Sequence, residues 1–122
     1  LEVVINEDFK TGMGSSISCG IRASENATGW LILLADMPYI KPDTILLLAE
    51  KIKNGVDIVA PVFEQQRGHP VGFSHRYLSE LIALNEDVGA RNIINSHQNN
   101  LVLVTVSDDG VIKDIDYASE LA

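Results

Sequence analysis

Short apolar runs alternate along this chain with longer stretches in which apolar residues recur every third or fourth position. Trp30-Leu31-Ile32-Leu33-Leu34-Ala35 is the longest unbroken run, and it stops at Asp36, with Pro38 two residues on. Six consecutive apolar residues predict a strand buried on both faces, as inside a parallel sheet. Leu1–Ile5, Asp57–Pro61, Val71–Phe73, Leu101–Val106 and Val111–Ile115 read as further short strands. Between them, Ile45, Leu48, Ala49 and Ile52 fall on one helical stripe, with Pro42 suited to the first helical position, Asp43 to the first turn and Asn54-Gly55 to the stop.

Other segments follow the same rhythm. Ser15 and Ser16 open a short helix carrying Ile17 and Ile21. Ser74 is placed to cap a helix with Tyr77, Leu78, Leu81 and Ile82 inward, and Val88–Asn95 reads as another short helix. Gln65–His69 is polar and loop-like, Asp108-Asp109-Gly110 is a turn signal, and Tyr117–Leu121 begins a last helix. Strands alternating with amphipathic helices predict an α/β domain with a mostly parallel sheet. No repeat, linker or low-complexity tract divides the chain, so residues 1–122 read as one domain.

Composition narrows the functions. The net charge of −8 comes with no basic stripe to neutralise phosphates, which argues against nucleic-acid binding. No apolar run reaches the roughly 18 residues of a membrane span, and no basic, cleavable leader precedes Leu1. The lone Cys19 excludes an internal disulfide and fits a reducing compartment, so a cytoplasmic location is expected.

Four polar clusters interrupt these elements. Gly12-Met13-Gly14-Ser15-Ser16 leads into a helix N-terminus, where backbone N–H groups meet an anion or the glycines simply make a turn. Asp36 ends its strand where open α/β folds place ligands, so it holds a metal or a hydroxyl, or else caps the next turn. Arg67-Gly68-His69-Pro70 joins a cation, a hinge and a titratable ring, with His69 either bonding a ligand or pinning a loop. Asp114-Ile115-Asp116 follows a predicted strand whose alternation puts both carboxylates on one side. With Asp36 they would make an oxygen-only site suited to Mg²⁺, and otherwise they are a solvated strand end. His75 and His97 read as surface or capping residues, and the three histidines lack zinc-site spacing.

The order of these clusters, with Leu33-Leu34-Ala35-Asp36-Met37-Pro38, Arg67-Gly68-His69-Pro70-Val71, Asp87-Val88-Gly89-Ala90-Arg91 and Asp114-Ile115-Asp116 following the Gly12–Ser16 loop, resembles the MobA-like nucleotidyltransferases. Within them the chain is most similar to the molybdenum-cofactor cytidylyltransferase branch. The resemblance implies a Rossmann-like three-layer α/β/α domain of the nucleotide-diphospho-sugar transferase kind. It implies transfer of a nucleoside monophosphate, CMP from CTP rather than GMP from GTP, to a molybdopterin-type acceptor with release of pyrophosphate.

By that resemblance Asp36 and Asp116 are catalytic and hold Mg²⁺, with Asp114 beside them. Gly12, Met13, Gly14, Ser15 and Ser16 lie on the nucleotide side, with Pro38 next to the metal-binding Asp36. Arg67, His69, Pro70, Asp87 and Arg91 lie toward the acceptor. A molybdoenzyme or its chaperone is a further expected partner.

The chain also departs from the pattern. The family's Leu-Ala-Ala-Gly loop, with a following Arg and a later Lys, has no counterpart here, so the chain is expected to lack the first βαβ portion and to be poorly active by itself. Tyr117-Ala118-Ser119-Glu120 stands where Thr-Pro-Glu-Asp is usual, and Glu86 where a Gly is usual. The alternative is a non-catalytic module of the same fold that binds a ligand or partner during molybdoenzyme maturation. A phosphorelay receiver fits less well, because its aspartate is separated from the Met-Pro pair, whereas Asp36 abuts Met37-Pro38.

Overall fold

The structure is a computed structural model and describes residues 2–6, 20–34, 39–83 and 91–112. Its strands are β1 (Glu2–Asn6), β2 (Gly29–Leu34), β3 (Ile58–Phe63), β4 (Gln66–Arg67), β5 (Val71–Ser74) and β6 (Leu101–Thr105). Its α-helices are α1 (Pro42–Lys53), α2 (Leu78–Ile82) and α3 (Arg91–Ser96). Short 3-10 turns cover His75–Tyr77, Gln98–Asn100 and Asp109–Ile112.

The strands form one sheet in the order β1-β2-β5-β3, with β4 and β6 both pairing with β3. β1 runs parallel to β2 and β6 parallel to β3, while β5 lies between β2 and β3 antiparallel to both. Four of the six strands, β1, β2, β3 and β6, therefore point the same way, and only β4 and β5 run against them. This is the expected α/β, Rossmann-like plan with a reversed strand set into it.

Both faces of the sheet are buried, as the unbroken apolar run of β2 requires. Trp30 and Ile32 face one side with Ile58, Ala60, Phe73, Tyr77, Leu81, Ile93 and Ile94, beneath α2 and α3. Leu31 faces the other side with Val59, under Leu48, Ala49 and Ile52 of α1. Helices on both faces give three layers. Gly72 lies under α1, where a Cβ would come within 2.8 Å of Val59 and 2.9 Å of Leu31, so glycine lets the helix settle onto the short reversed strand.

Three local expectations need correction. Gln65–His69 is not all loop: Gln66 and Arg67 pair with Phe63 and Val62 as β4. The hairpin turn is Glu64-Gln65, at φ 50° and 69°, the doubly left-handed conformation for which glycine or asparagine is the usual signal. Ser74 stands at the start of the His75–Tyr77 turn, but its side chain makes no capping hydrogen bond, and its buried Oγ has no partner among the described residues. The strand expected from Val111 does not begin there, because Asp109–Ile112 is a 3-10 turn. Asp108 Oδ1 accepts the Gly110 N–H at 2.9 Å, a side-chain turn that curls the backbone out of the extended state. The alternation argument for Asp114 and Asp116 thus has no strand to rest on through Ile112.

Candidate functional site

Three polar segments meet beyond the carboxyl ends of the parallel strands. The first follows β2 and enters α1 at residues 39–44, the second is the β4–β5 joint at residues 67–70, and the third follows β6 at residues 108–112. This is the edge at which open α/β sheets bind ligands, because loops from successive strands converge there.

Asp108 is the polar centre of the meeting. It is 3% exposed and shares that degree of burial among polar residues only with Thr44, among the described residues. Its Oδ2 accepts the Lys41 backbone N–H at 2.8 Å and the Thr44 hydroxyl at 2.7 Å, while its Oδ1 accepts the Gly110 N–H. Lys41 is the N-cap of α1 and offers no side-chain cap of its own. In a capping box the third helical residue reaches back to the N-cap N–H. Here that residue is Thr44, which donates instead, and a carboxylate from the far side of the sequence accepts both groups. The positive end of the helix dipole favours that charge.

Burial alone would raise the Asp108 carboxyl. The Lys41 amide, the Thr44 hydroxyl and the Gly110 amide, with the Lys41 charge behind them, outweigh it and hold the group below the ordinary aspartate range. Asp108 is therefore a fixed anion at neutral pH.

Glycines close the remaining gaps. Gly110 packs against the Tyr39 backbone, where any Cβ would collide with the Tyr39 carbonyl, and Gly68 packs in the same way against the Val111 carbonyl. The His69 N–H donates to that Val111 carbonyl at 2.8 Å, and the Gly68 N–H donates to the Pro61 carbonyl at 2.8 Å. His69 is half-buried and precedes a cis bond to Pro70, whereas Arg67 is exposed.

The predicted site residues divide accordingly. Arg67, His69 and Pro70 are brought to the 108–112 turn. Arg91 opens α3, whose Ile93 and Ile94 pack on the Trp30 face, opposite to α1. Gly12, Met13, Gly14, Ser15, Ser16, Asp36, Pro38, Asp87, Asp114 and Asp116 lie outside the described residues. Their flanks do not: Leu34 is two residues before Asp36, Tyr39 three after it, and Ile112 two before Asp114. Among the described residues no three His, Cys, Asp or Glu side chains gather as a metal-binding group.

Sequence reasoning took Asp108 only as part of a turn. Its role as a remote cap had a faint signal, a helix start at Lys41-Pro42 with no capping side chain of its own. Nothing in the linear order said which distant residue would supply one.

Comparison with known proteins adds to this geometry. Residues 1–101 match the family described as the MobA-like NTP transferase domain. Among solved structures, the chain is similar to the Mycobacterium tuberculosis Rv0371c homologue from Mycobacterium sp. strain JC1, at 24% identity and TM-score 0.75 over 88% of this chain and 54% of that one. It is also similar to Rv0371c from M. tuberculosis H37Rv in complex with manganese, at 25% identity and TM-score 0.73 over 87% of this chain and 56% of that one. The chain thus spans about half the length of these structures. No curated protein gives a significant match. No helix among the described residues is long and apolar enough to cross a membrane.

Proposed function

This chain belongs to the MobA-like NTP transferase domain family, and on that premise we propose that its protein transfers a nucleoside monophosphate from an NTP to a phosphorylated acceptor. The proposed donor is CTP and the proposed acceptor a molybdopterin-type phosphate. An acceptor phosphate oxygen attacks the α-phosphorus, a new P–O–P link forms, and the bond to the leaving pyrophosphate breaks.

The observation that carries this reading is the clasp at the carboxyl ends of the strands. It draws the segment running on to Asp114 and Asp116 against the segment that follows Asp36. Attack of one phosphate on another meets like-charge repulsion, so the site needs positive charge between them. The donor set suits a hard divalent cation, since Asp36, Asp114 and Asp116 offer only carboxylate oxygens. Mg²⁺ bound there would neutralise and align the two phosphates. The manganese bound by a structural relative supports a divalent ion of this class.

The chain's own residues supply the rest. Arg67 and His69, on the joint beside the 108–112 turn, are offered to the acceptor, and Asp87 and Arg91 are assigned to the same side. The Gly12–Ser16 loop is assigned to the nucleotide.

The test is Asp36→Asn in the gene's full-length product. Pyrophosphate release with CTP is expected to fall about 10²-fold or more, because one carboxylate of the electrostatic machinery is lost. Binding of Mn²⁺ with CTP should weaken in parallel. If the unsubstituted protein binds CTP and Mn²⁺ but releases no pyrophosphate with any acceptor, and Asp36→Asn changes neither binding, a non-catalytic binding module is the correct reading. Running GTP beside CTP decides the base.

A further inference from the structure

We infer that Asp108 is a positioning residue of the transfer site, holding the segment that leads to Asp114 and Asp116 in register with the segment that follows Asp36. The inference rests on the nucleotidyltransferase reading and deepens it.

Asp108 does more than its own turn requires. A single acceptor would satisfy Gly110, yet the carboxylate also takes two donors from α1, 64 and 67 residues away in sequence. Three donors on two oxygens fix both the distance and the rotation between the two segments. The apolar core contributes nothing comparable here. Tyr39 is 59% exposed, and the fit between Tyr39 and Gly110 is backbone against backbone. With Asp108 removed, packing of Gly110 on Tyr39 and of Gly68 on Val111 would remain, but neither contact is directional.

Asp36 lies three residues before Tyr39, and Asp114 four after Gly110. Any slip at the clasp is therefore carried over a short length of chain to the carboxylates. A displacement of about 1 Å at reacting groups costs on the order of 10²-fold in rate, and loss of outer-shell support costs about 10–100-fold in metal affinity or activity. Asp108 itself stays off the phosphates, since its oxygens are committed to protein donors.

The experiment uses the gene's full-length product and two substitutions at the clasp. Asp108→Asn keeps the shape but turns an amide N–H₂ toward one of the three donors. Thr44→Val keeps the volume and deletes the hydroxyl, while Thr44→Ser keeps the hydroxyl. Mn²⁺ binding in the presence of CTP is followed by electron paramagnetic resonance, and turnover is measured well below each variant's Tm.

For Asp108→Asn we expect Mn²⁺ affinity and kcat to fall about 10–100-fold. Thr44→Val should move the same way by a smaller factor, and Thr44→Ser should restore most of the loss. A merely structural role would lower Tm and leave Mn²⁺ affinity and kcat of the folded variants at the unsubstituted values. That result overturns the inference while leaving the transferase reading intact. If the unsubstituted protein neither binds Mn²⁺ with CTP nor turns over, the transferase reading falls and the inference falls with it.

Discussion

Trp30 and Asp108 sit at opposite poles of this molecule's physics. Trp30 is fully buried in the face of the sheet beneath α2 and α3, its ring stacked on His75 at 5.7 Å and its indole N–H donating to Ser24 Oγ at 3.0 Å. Asp108 is almost as buried, beyond the strand ends, and is held by three hydrogen bonds of about that length. Around Trp30 the binding force is area removed from water, which is large, non-directional and tolerant of small shifts. Around Asp108 it is charge-assisted hydrogen bonding, smaller in sum but strict in geometry. A scaffold can be built from the first kind of force. A site that must place carboxylates needs the second.

The largest effect expected from breaking this comparison is at the apolar pole. Trp30→Ala should cost about 3–5 kcal/mol, the range for emptying a large aromatic site in a packed core. Urea unfolding followed by circular dichroism checks it. A loss under about 1 kcal/mol would mean that the cluster of Phe73, Tyr77 and Ile58 closes over the gap and that Trp30 is not its centre.

The same contrast explains what the sequence revealed. The α1 helix from Pro42 to Asn54-Gly55 was legible because its apolar stripe, its proline and its stop signal all agreed, and β2 because an unbroken apolar run admits few other readings. Directional features were not legible. β4 depends on a left-handed turn made by Glu64-Gln65, where no glycine or asparagine advertises it. The 109–112 turn depends on Asp108 bonding Gly110, which the same letters would equally allow as a hairpin corner leading into a strand. The reversal of β5 is set by which partners it finds, β2 and β3, and not by anything in Val71-Gly72-Phe73.

β6 shows the converse failure. Its apolar letters predicted a strand correctly, yet Val102 and Leu103 are 40% and 55% exposed, because letters do not say which side of a strand is covered. Of the candidate site, Arg67, His69 and Pro70 were legible as a polar cluster. Their meeting with Asp108's turn was not, because it runs through backbone atoms such as the His69 N–H and the Val111 carbonyl, which every sequence possesses.

The polar pole should break differently, by about 2–3 kcal/mol for Asp108→Ala, since buried donors on Lys41, Thr44 and Gly110 lose their acceptor. It should also break with acid, as the apolar pole does not. The Asp108 carboxyl lies below its ordinary range when folded, so its contribution is present above the unfolded value of about 3.9 and is lost as the pH falls through the lower folded value. The stability gap between the native protein and Asp108→Ala should therefore be widest near neutral pH and narrow below about pH 4. The Trp30→Ala gap should stay nearly constant across the same range. A gap for Asp108→Ala that is flat with pH would show that the carboxylate charge is not what holds the clasp.

The smallest effect tests whether local strain near the site end can be relieved without touching either pole. Glu64 and Gln65 both sit in the left-handed region, at a cost of about 1–2 kcal/mol per residue relative to the right-handed one. Gln65→Gly removes one such cost but adds about 0.5–1 kcal/mol of chain entropy to be lost on folding. The net expectation is a gain of about 0.5 kcal/mol, read as a modest rise in thermal midpoint. Gln65 is exposed, so little packing is forfeited. A clear loss of stability would instead mean that the β3–β4 arm is held by its turn side chains. Arg67, which that arm carries toward the 108–112 turn, would then owe its position to Gln65 rather than to backbone pairing with Val62.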